Sequence, residues 1–389
     1  MKNCTFGIIA GLFLLACNNP KTIENDKMDI KWDTLAVIPP ANEMTIQYGL
    51  AGPVTGAYGN EPIVGGGSNF EDAMPWMGGT KKYHNLVYVL HQKKDGLYKW
   101  SKTSRKLLTP IAYSACISTN KGILSIGGET ANNPIDQVFL LSVQNKKLQF
   151  SNFPALPVAL SNSGAAMIDS VVFLAGGLDS IGATSYFFAL DLKKIAAGWK
   201  LLPELPVSLS HAVVIAQSDG IEECIYVLGG RTRTGVISTF LSAIWKFSQS
   251  KNKWEQVGQL QLEDEDVFGF ATGTGLAYQD RYILLFGGDK GIIFNETERL
   301  IDASLHAKTM GKREKAQKQK VHNMINHPGF CKDVYLFNTI TGKLKKIGEL
   351  PGMTQVTTHA FWWNGQIIIP GGEIRPGVRS SLITRGKII

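Results

Sequence analysis

Cysteine is scarce and scattered, with residues only at positions 4, 17, 116, 224 and 331 of the 389. They form no CxxC pair and no metal-like spacing, which argues against a zinc ribbon or a redox pair. Three widely spaced cysteines in the body describe no disulfide framework, so Cys116, Cys224 and Cys331 are expected as buried apolar fillers. Motifs of other chemistries are missing too. No HExxH, P-loop, GxSxG elbow or GxGxxG between strand and helix occurs, which removes zincins, P-loop nucleotidases, α/β-hydrolases and dinucleotide-binding folds. The seven histidines do not cluster at metal spacing. His306, His322 and His327 share one segment but lack a paired cysteine or carboxylate pattern, so no metal site is expected. The apolar run Phe6 to Ala16 falls short of the ~20 residues that a membrane-spanning helix needs.

That run, preceded by Lys2 and ending Leu14-Leu15-Ala16-Cys17, has the layout of a secretion leader. The ending resembles a bacterial lipobox, whose cysteine is lipidated after cleavage. Residues 1–17 are therefore expected as a lipoprotein-type signal peptide, with Cys17 as the lipidation site. An ordinary signal peptide cut nearby is the alternative. Residues 18–30 read as a flexible tether, and the mature chain as an exported, lipid-anchored protein of the bacterial cell envelope, periplasmic or on the outer membrane.

What the chain has in quantity is glycine, 41 residues scattered without a collagen period, alongside 44% hydrophobic residues. Many tight turns and a sizeable core point to an all-β chain. Six short apolar runs end on a double glycine: IVGGG (63–67), LSIGG (124–128), FLAGG (173–177), YVLGG (226–230), LLFGG (284–288) and IIPGG (368–372). Each is too short and too β-rich for a helix. A second marker keeps step: Trp32, Trp100, Phe150, Trp199, Trp254 and Leu344 each lead toward a Leu-Pro-like turn. Several intervals are close to about 50 residues, the kelch period, with one four-stranded blade per repeat. Six copies predict a six-bladed kelch β-propeller over residues 31–389. Pro370 stands out, since proline donates no ladder hydrogen bond.

After the last double glycine one further strand is visible, while the N-terminus offers a spare one around Trp32. Residues 31–38 are therefore expected to complete the last blade and close the ring. One blade carries an insert, about residues 295–330, rich in helix formers and read as one or two helices. Within it Lys308 to Lys320 holds six Lys/Arg against one Glu, which localises much of the net charge of +8. The run lacks interleaved aromatics, so it is read as a solvated helix face, with no nucleic-acid partner and a membrane contact only through the lipid anchor.

A propeller gathers equivalent loops around its axis. The residues after each double glycine, Ser68 and Asn69, Glu129, Leu178 and Asp179, Arg231, Asp289 and Glu373, are therefore expected as neighbours. Such a polar ring of mixed sign suits a small polyhydroxylated ligand.

The last copy continues as GGEIRPGVRS, and this segment resembles the kelch-type N-acetylneuraminate epimerases, the sialic acid mutarotases. Their G-E-x-[KR]-P-G-[LV]-R pattern falls on Gly372, Glu373, Arg375, Pro376, Gly377, Val378 and Arg379. GGETANNPIDQVFLL (127–141) resembles the family's C-terminal segment and AGGLDSIGATSYFFALDL (175–192) its first blade, so the order is similar to a cyclically permuted branch. A turn at 205–214 lacks an arginine common there in the family. The resemblance implies anomer interconversion of a small sugar acid by ring opening and closure, with Glu373 as proton acceptor and Arg379 pairing with the carboxylate. Arg375, Glu129, Asn69 and Arg231 are expected to bind the sugar. No redox step occurs, so no cofactor is expected. Two rivals remain: a non-catalytic kelch propeller binding a glycan or partner protein at the envelope, and a mutarotase for another sugar. A copper oxidase would need a Tyr/Cys/His metal set that is missing.

Overall fold

Short apolar strands separated by glycine turns pair locally, and in a computed structural model of the chain they form six antiparallel four-stranded sheets. The structure describes residues 28–41, 45–101, 106–144 and 147–389; the leader, Cys17 and the tether up to residue 27 lie outside them. In chain order, blades 1 to 5 occupy residues 54–100, 115–152, 164–201, 213–259 and 274–349. Blade 6 combines Phe361–Trp363, Gln366–Pro370 and Leu382–Ile388 with the N-terminal strand Ile30–Val37. The first and last strands pair from Ile30 opposite Ile388 to Val37 opposite Leu382, and Arg385 grips Asp33 through Nε (2.8 Å) and Nη2 (2.7 Å). The expected ring closure is thus present. The six-bladed β-propeller is the fold.

In every blade the apolar run before the double glycine is the second strand from the axis. Both its faces meet neighbouring blades, which is why it reads as a continuous apolar run: Ile123, Leu124 and Ile126, or Ile283, Leu284 and Leu285, are at most 1% exposed. The aromatic markers fall on, or just before, the outermost strands. Their step with the Leu-Pro turns has a physical cause. Trp199 Nε1 donates to Pro154 O and Trp254 Nε1 to Pro203 O, both at 2.9 Å, so each indole binds the turn of the blade before it. Trp100 does the same to Val37 O at 2.7 Å, across the ring closure.

The double glycines lock the same seams on the inside. In five blades the second glycine's N–H donates to the carbonyl of the segment entering the next blade, as Gly128 does to Leu160 at 2.8 Å. A Cβ on Gly127 would lie 2.3 Å from that same Leu160 oxygen, so no other residue fits. Pro370 is the terminal residue of its strand, where a missing N–H costs least.

Around the axis runs a closed circle of backbone bonds. Tyr113 N–H donates to Gly52 O, Asn162 to Tyr113, His211 to Asn162, Thr272 to His211, Thr357 to Thr272 and Gly52 to Thr357, all at 2.7–3.0 Å. All six residues adopt left-handed φ between 52° and 62°, one just before each innermost strand. Left-handed backbone is unfavourable for side-chain-bearing residues. Here the circle of bonds holds it in place.

The insert of blade 5 forms two helices, α1 (Ile292–Leu305) and α2 (Met310–Ile325). The lysines of α2 face solvent, as expected of its basic run. Helix α1, by contrast, covers the axial cavity. Of the body cysteines, Cys224 is a buried filler, whereas the Cys331 thiol donates to Asp333 Oδ2 at 3.2 Å.

Candidate active site

The segment after the last double glycine folds back on itself as a two-stranded ribbon, Glu373–Arg375 against Val378–Arg379. Pro376 and Gly377 make the reversal, with Gly377 at φ +79°, where a Cβ would press within 2.7 Å of Pro75. The Pro-Gly turn therefore brings Glu373 and Arg379 face to face. Glu373 Oε1 accepts from Arg379 Nη1 at 2.6 Å and from Gly377 N at 2.8 Å. Among the described residues Oε2 of Glu373 accepts no hydrogen bond, and it is the atom left for other chemistry. The Arg379 side chain is 5% exposed and lies over the Phe70 ring at 5.1 Å.

A second charged cluster comes from blades 1 and 2. Glu129 Oε1 accepts from Lys81 Nζ at 3.0 Å and from Tyr83 Oη at 2.5 Å, and Oε2 from Ser161 Oγ at 3.3 Å. The Lys81 ammonium also sits over the rings of Tyr83 and Tyr113 at 5.2 and 5.0 Å. Burial opposes its charge, but Tyr113, Glu129 and Tyr83 outweigh that and raise its pKa. Burial, helped by the bond to Glu129, pushes the Tyr83 phenol up to about 12.

Blades 4 and 5 supply the remaining wall. Arg231 starts a ribbon, Arg231–Arg233 against Ser238–Phe240, and its guanidinium stacks over Phe294 of α1 at 4.6 Å. His211 bonds Ser210 Oγ through Nδ1 at 2.8 Å; burial, then Arg231 and Lys81, hold its pKa well below the usual histidine value, so the ring is neutral. Asp289 accepts from Gly291 N at 2.8 Å, and burial raises its pKa.

Lys81, Glu129, His211, Arg231, Asp289 and the Glu373–Arg379 pair line one cavity of about 760 Å³, within the range of small-molecule sites. Its floor is the circle of left-handed residues, Tyr113, Asn162, His211, Thr272 and Thr357, and its roof includes Ile293, Phe294, Ile301 and Leu305 of α1. Below the floor the axial channel opens on the opposite face. Polar groups at one end and an apolar roof at the other suit a compact, hydroxylated molecule with an apolar substituent.

The structure brings Glu373, Arg379, Glu129 and Arg231 together, as the propeller geometry leads one to expect. Asn69 and Arg375 do not line the cavity. Asn69 is 2% exposed, with its amide donating to Gly49 O at 3.0 Å and its carbonyl oxygen 2.8 Å from His84 Nε2. Arg375 turns outward and caps α2, donating from Nη1 to Ile325 O at 3.2 Å. Sequence reading passed over Lys81, Tyr83, Tyr113, His211 and the roof. Aligning the blades on the residue before each innermost strand is the signal that would have found Tyr113 and His211. Lys81 lies outside both repeated markers and carries no such signal.

Comparison with known proteins bears on the same residues. The profile of the N-acetylneuraminate epimerase family matches residues 8–150 and 153–389, in two pieces that meet at the end of the outermost strand of blade 2. Curated proteins named N-acetylneuraminate epimerase from Salmonella typhimurium and Salmonella typhi are each 27% identical over 242 residues, 60% of this chain and 58% of theirs. One from Haemophilus influenzae is 25% identical over 237 residues, 60% of this chain and 59% of its own. The alignments thus span less than two thirds of those relatives. With a family match across nearly all the described blades, and the Glu-Pro-Gly-Arg ribbon at the axial cavity, the chain belongs to the N-acetylneuraminate epimerase family.

Proposed function

We propose that the protein is a mutarotase that interconverts the α- and β-anomers of N-acetylneuraminate. The observation that carries this reading is the Glu373–Arg379 pair in the wall of a cavity large enough to admit a sugar acid, with Oε2 of the glutamate uncommitted among the described residues. Mutarotation moves a proton from the anomeric hydroxyl to a base while the bond from the anomeric carbon to the ring oxygen breaks and that oxygen gains a proton. Rotation of the resulting open-chain ketone and the reverse steps deliver the other anomer. Glu373 Oε2 takes the hydroxyl proton as general base, and the carboxylic acid so formed, or water, protonates the ring oxygen. Arg379 holds Glu373 in one rotamer through Oε1. Glu129, with its Lys81 and Tyr83 partners, faces the same space and can accept hydrogen bonds from sugar hydroxyls. Export and lipid anchoring through Cys17 complete the proposal and put the enzyme where free sialic acid is released.

The test is proton NMR of freshly released α-N-acetylneuraminate, following anomer exchange with and without the protein. Glu373→Gln, which keeps the size and one acceptor, should lower the rate by about 10²–10⁴-fold, the usual worth of a general base. A loss below about tenfold removes the glutamate from that role. No acceleration by the native protein, with glucose and galactose also tried, favours a glycan-binding propeller.

A further inference from the structure

The cavity holds several cations, and they differ in what they are already bound to. Arg379 is paired through Nη1 with Glu373 at 2.6 Å, its Nε being buried without a hydrogen-bond partner among the described residues, and Lys81 is paired with Glu129 at 3.0 Å. Arg233 is largely exposed and lies 3.8 Å from Glu298. Arg231 is different. Among the described residues no carboxylate lies within ion-pair distance of its guanidinium and no hydrogen bond to it is formed. Its only close partner is the Phe294 ring, 4.6 Å away. Glu298, Asp289 and Glu373 lie near enough to favour its charge, but none makes an ion pair with it, and two of them are already held by other donors. Glu298 accepts from Ser238 N at 2.6 Å and Ser238 Oγ at 2.9 Å, and Asp289 accepts from Gly291 N.

A guanidinium stays charged at any physiological pH, and a charge taken out of water without a counter-ion is costly. Proteins seldom keep such a group unless something binds it. Burial, the largest influence on Arg231, already works against its charge. The side chain is also prepared for a planar anion. Stacking on Phe294 fixes one face of the guanidinium, leaving its edge N–H groups as a fork that matches a carboxylate.

We propose that Arg231, rather than Arg379, is the receptor for the carboxylate of an acidic sugar, and so sets the preference of this cavity for sugar acids over neutral sugars. The assignment rests on the mutarotase reading and refines it: Arg379 positions the base and Arg231 positions the substrate. Because Phe294 belongs to α1, the anion contact also draws the roof helix into recognition. The blade-4 ribbon and α1 meet the substrate together.

The experiment compares native protein, Arg231→Gln and Arg231→Lys on N-acetylneuraminate and on its neutral C1 carboxamide, following anomer exchange by NMR over a range of concentrations. Losing one charge-assisted contact should raise the KM of Arg231→Gln for the acid by about 10- to 100-fold. Its kcat should stay within about threefold, since the contact is equal in ground and transition states. The carboxamide should already bind weakly to the native protein and change little in the variant. Arg231→Lys should recover part of the loss. A purely structural Arg231 would lower the melting temperature and affect both compounds alike, and that equal loss overturns the proposal. So does an unchanged acid KM in Arg231→Gln. If the native protein accelerates neither compound, the enzymatic reading fails, and ligand-observed NMR titration with N-acetylneuraminate decides about Arg231 separately. Binding by the native protein that Arg231→Gln loses supports the receptor, whereas equal binding, or none by the native protein, refutes it.

Discussion

Glu298 offers a stringent test of how the roof is held. It projects from the middle of α1, is 9% exposed, and grips Ser238 of the blade-4 ribbon twice, through the backbone N–H and the hydroxyl. Glu298→Ala removes both bonds and leaves a buried N–H in a residue only 5% exposed. Each charge-assisted bond is worth about 1.5–3 kcal/mol and an orphaned buried donor costs about 1–3 kcal/mol. These overlap, and alanine has no charge to desolvate, so a net local loss of about 2 kcal/mol is expected. At 1.4 kcal/mol per factor of ten, amides that open with the roof should exchange about 30-fold faster. Hydrogen exchange read by mass spectrometry on peptides covering 231–240 and 292–305 measures this directly. Strands of blade 2, far from the clamp in the ring, should be unaffected. Glu298→Gln should fall between, because one side-chain amide can accept only through its oxygen. Unchanged protection in both peptides, or a loss spread evenly over all blades, would refute the clamp.

Two further outcomes follow from other parts of the ring. Asp333 bonds Lys346 at 2.7 Å and Tyr335 at 2.7 Å; burial works against its charge, but these bonds win and bring its pKa to about 2. That is below the unfolded value near 3.9, so the ionised carboxylate stabilises the fold above pH 4 and stops doing so as pH falls toward 2. Native protein should therefore exceed Asp333→Asn by about 2 kcal/mol at pH 7 in denaturant titrations, and the charge-dependent part of the margin should fall to about 0.4 kcal/mol at pH 2 and vanish near pH 1. A margin that stays constant with pH would contradict this. Removing Ile30–Val37 should leave Leu382–Ile388 as a bare edge strand, giving a lower melting temperature and association detectable by light scattering. A monomer of native stability would show that the N-terminal strand is dispensable.

The architecture was legible because its determinants are local and repeated. Each double glycine and each aromatic marks the same place in every blade, and the Trp254–Pro203 and Trp199–Pro154 bonds show why the two markers cannot drift apart. The Glu373–Arg379 pair was legible because a Pro-Gly reversal fixes which residues face each other. What stayed hidden depends on where irregular segments land. Asn69 lies one residue further past its double glycine than Glu129 does, with Ser68 in the position equivalent to Glu129, and His84 and Gly49 hold its amide in a buried place. Arg375, two residues beyond Glu373, would share its face in a regular strand, but the ribbon's register shifts between them and Arg375 reaches α2. The role of α1 as a roof could not be read from helix propensity, because Phe294 and Glu298 find their partners on another blade.

The circle of six amides around the axis has a mechanical side. Every blade gives one bond and receives one, so no blade can lean outward without severing two, and strain at any point is shared with both neighbours. The circle works as a hoop of fixed circumference. A molecule in the cavity therefore stands on a stiff base that does not widen to release it, and the yielding parts are those bound by side chains, above all α1. Under the proposed function, release from such a vessel would pass by its cover, and variation in the blade-5 insert would alter residence time without disturbing the Glu373–Arg379 ribbon on blade 6.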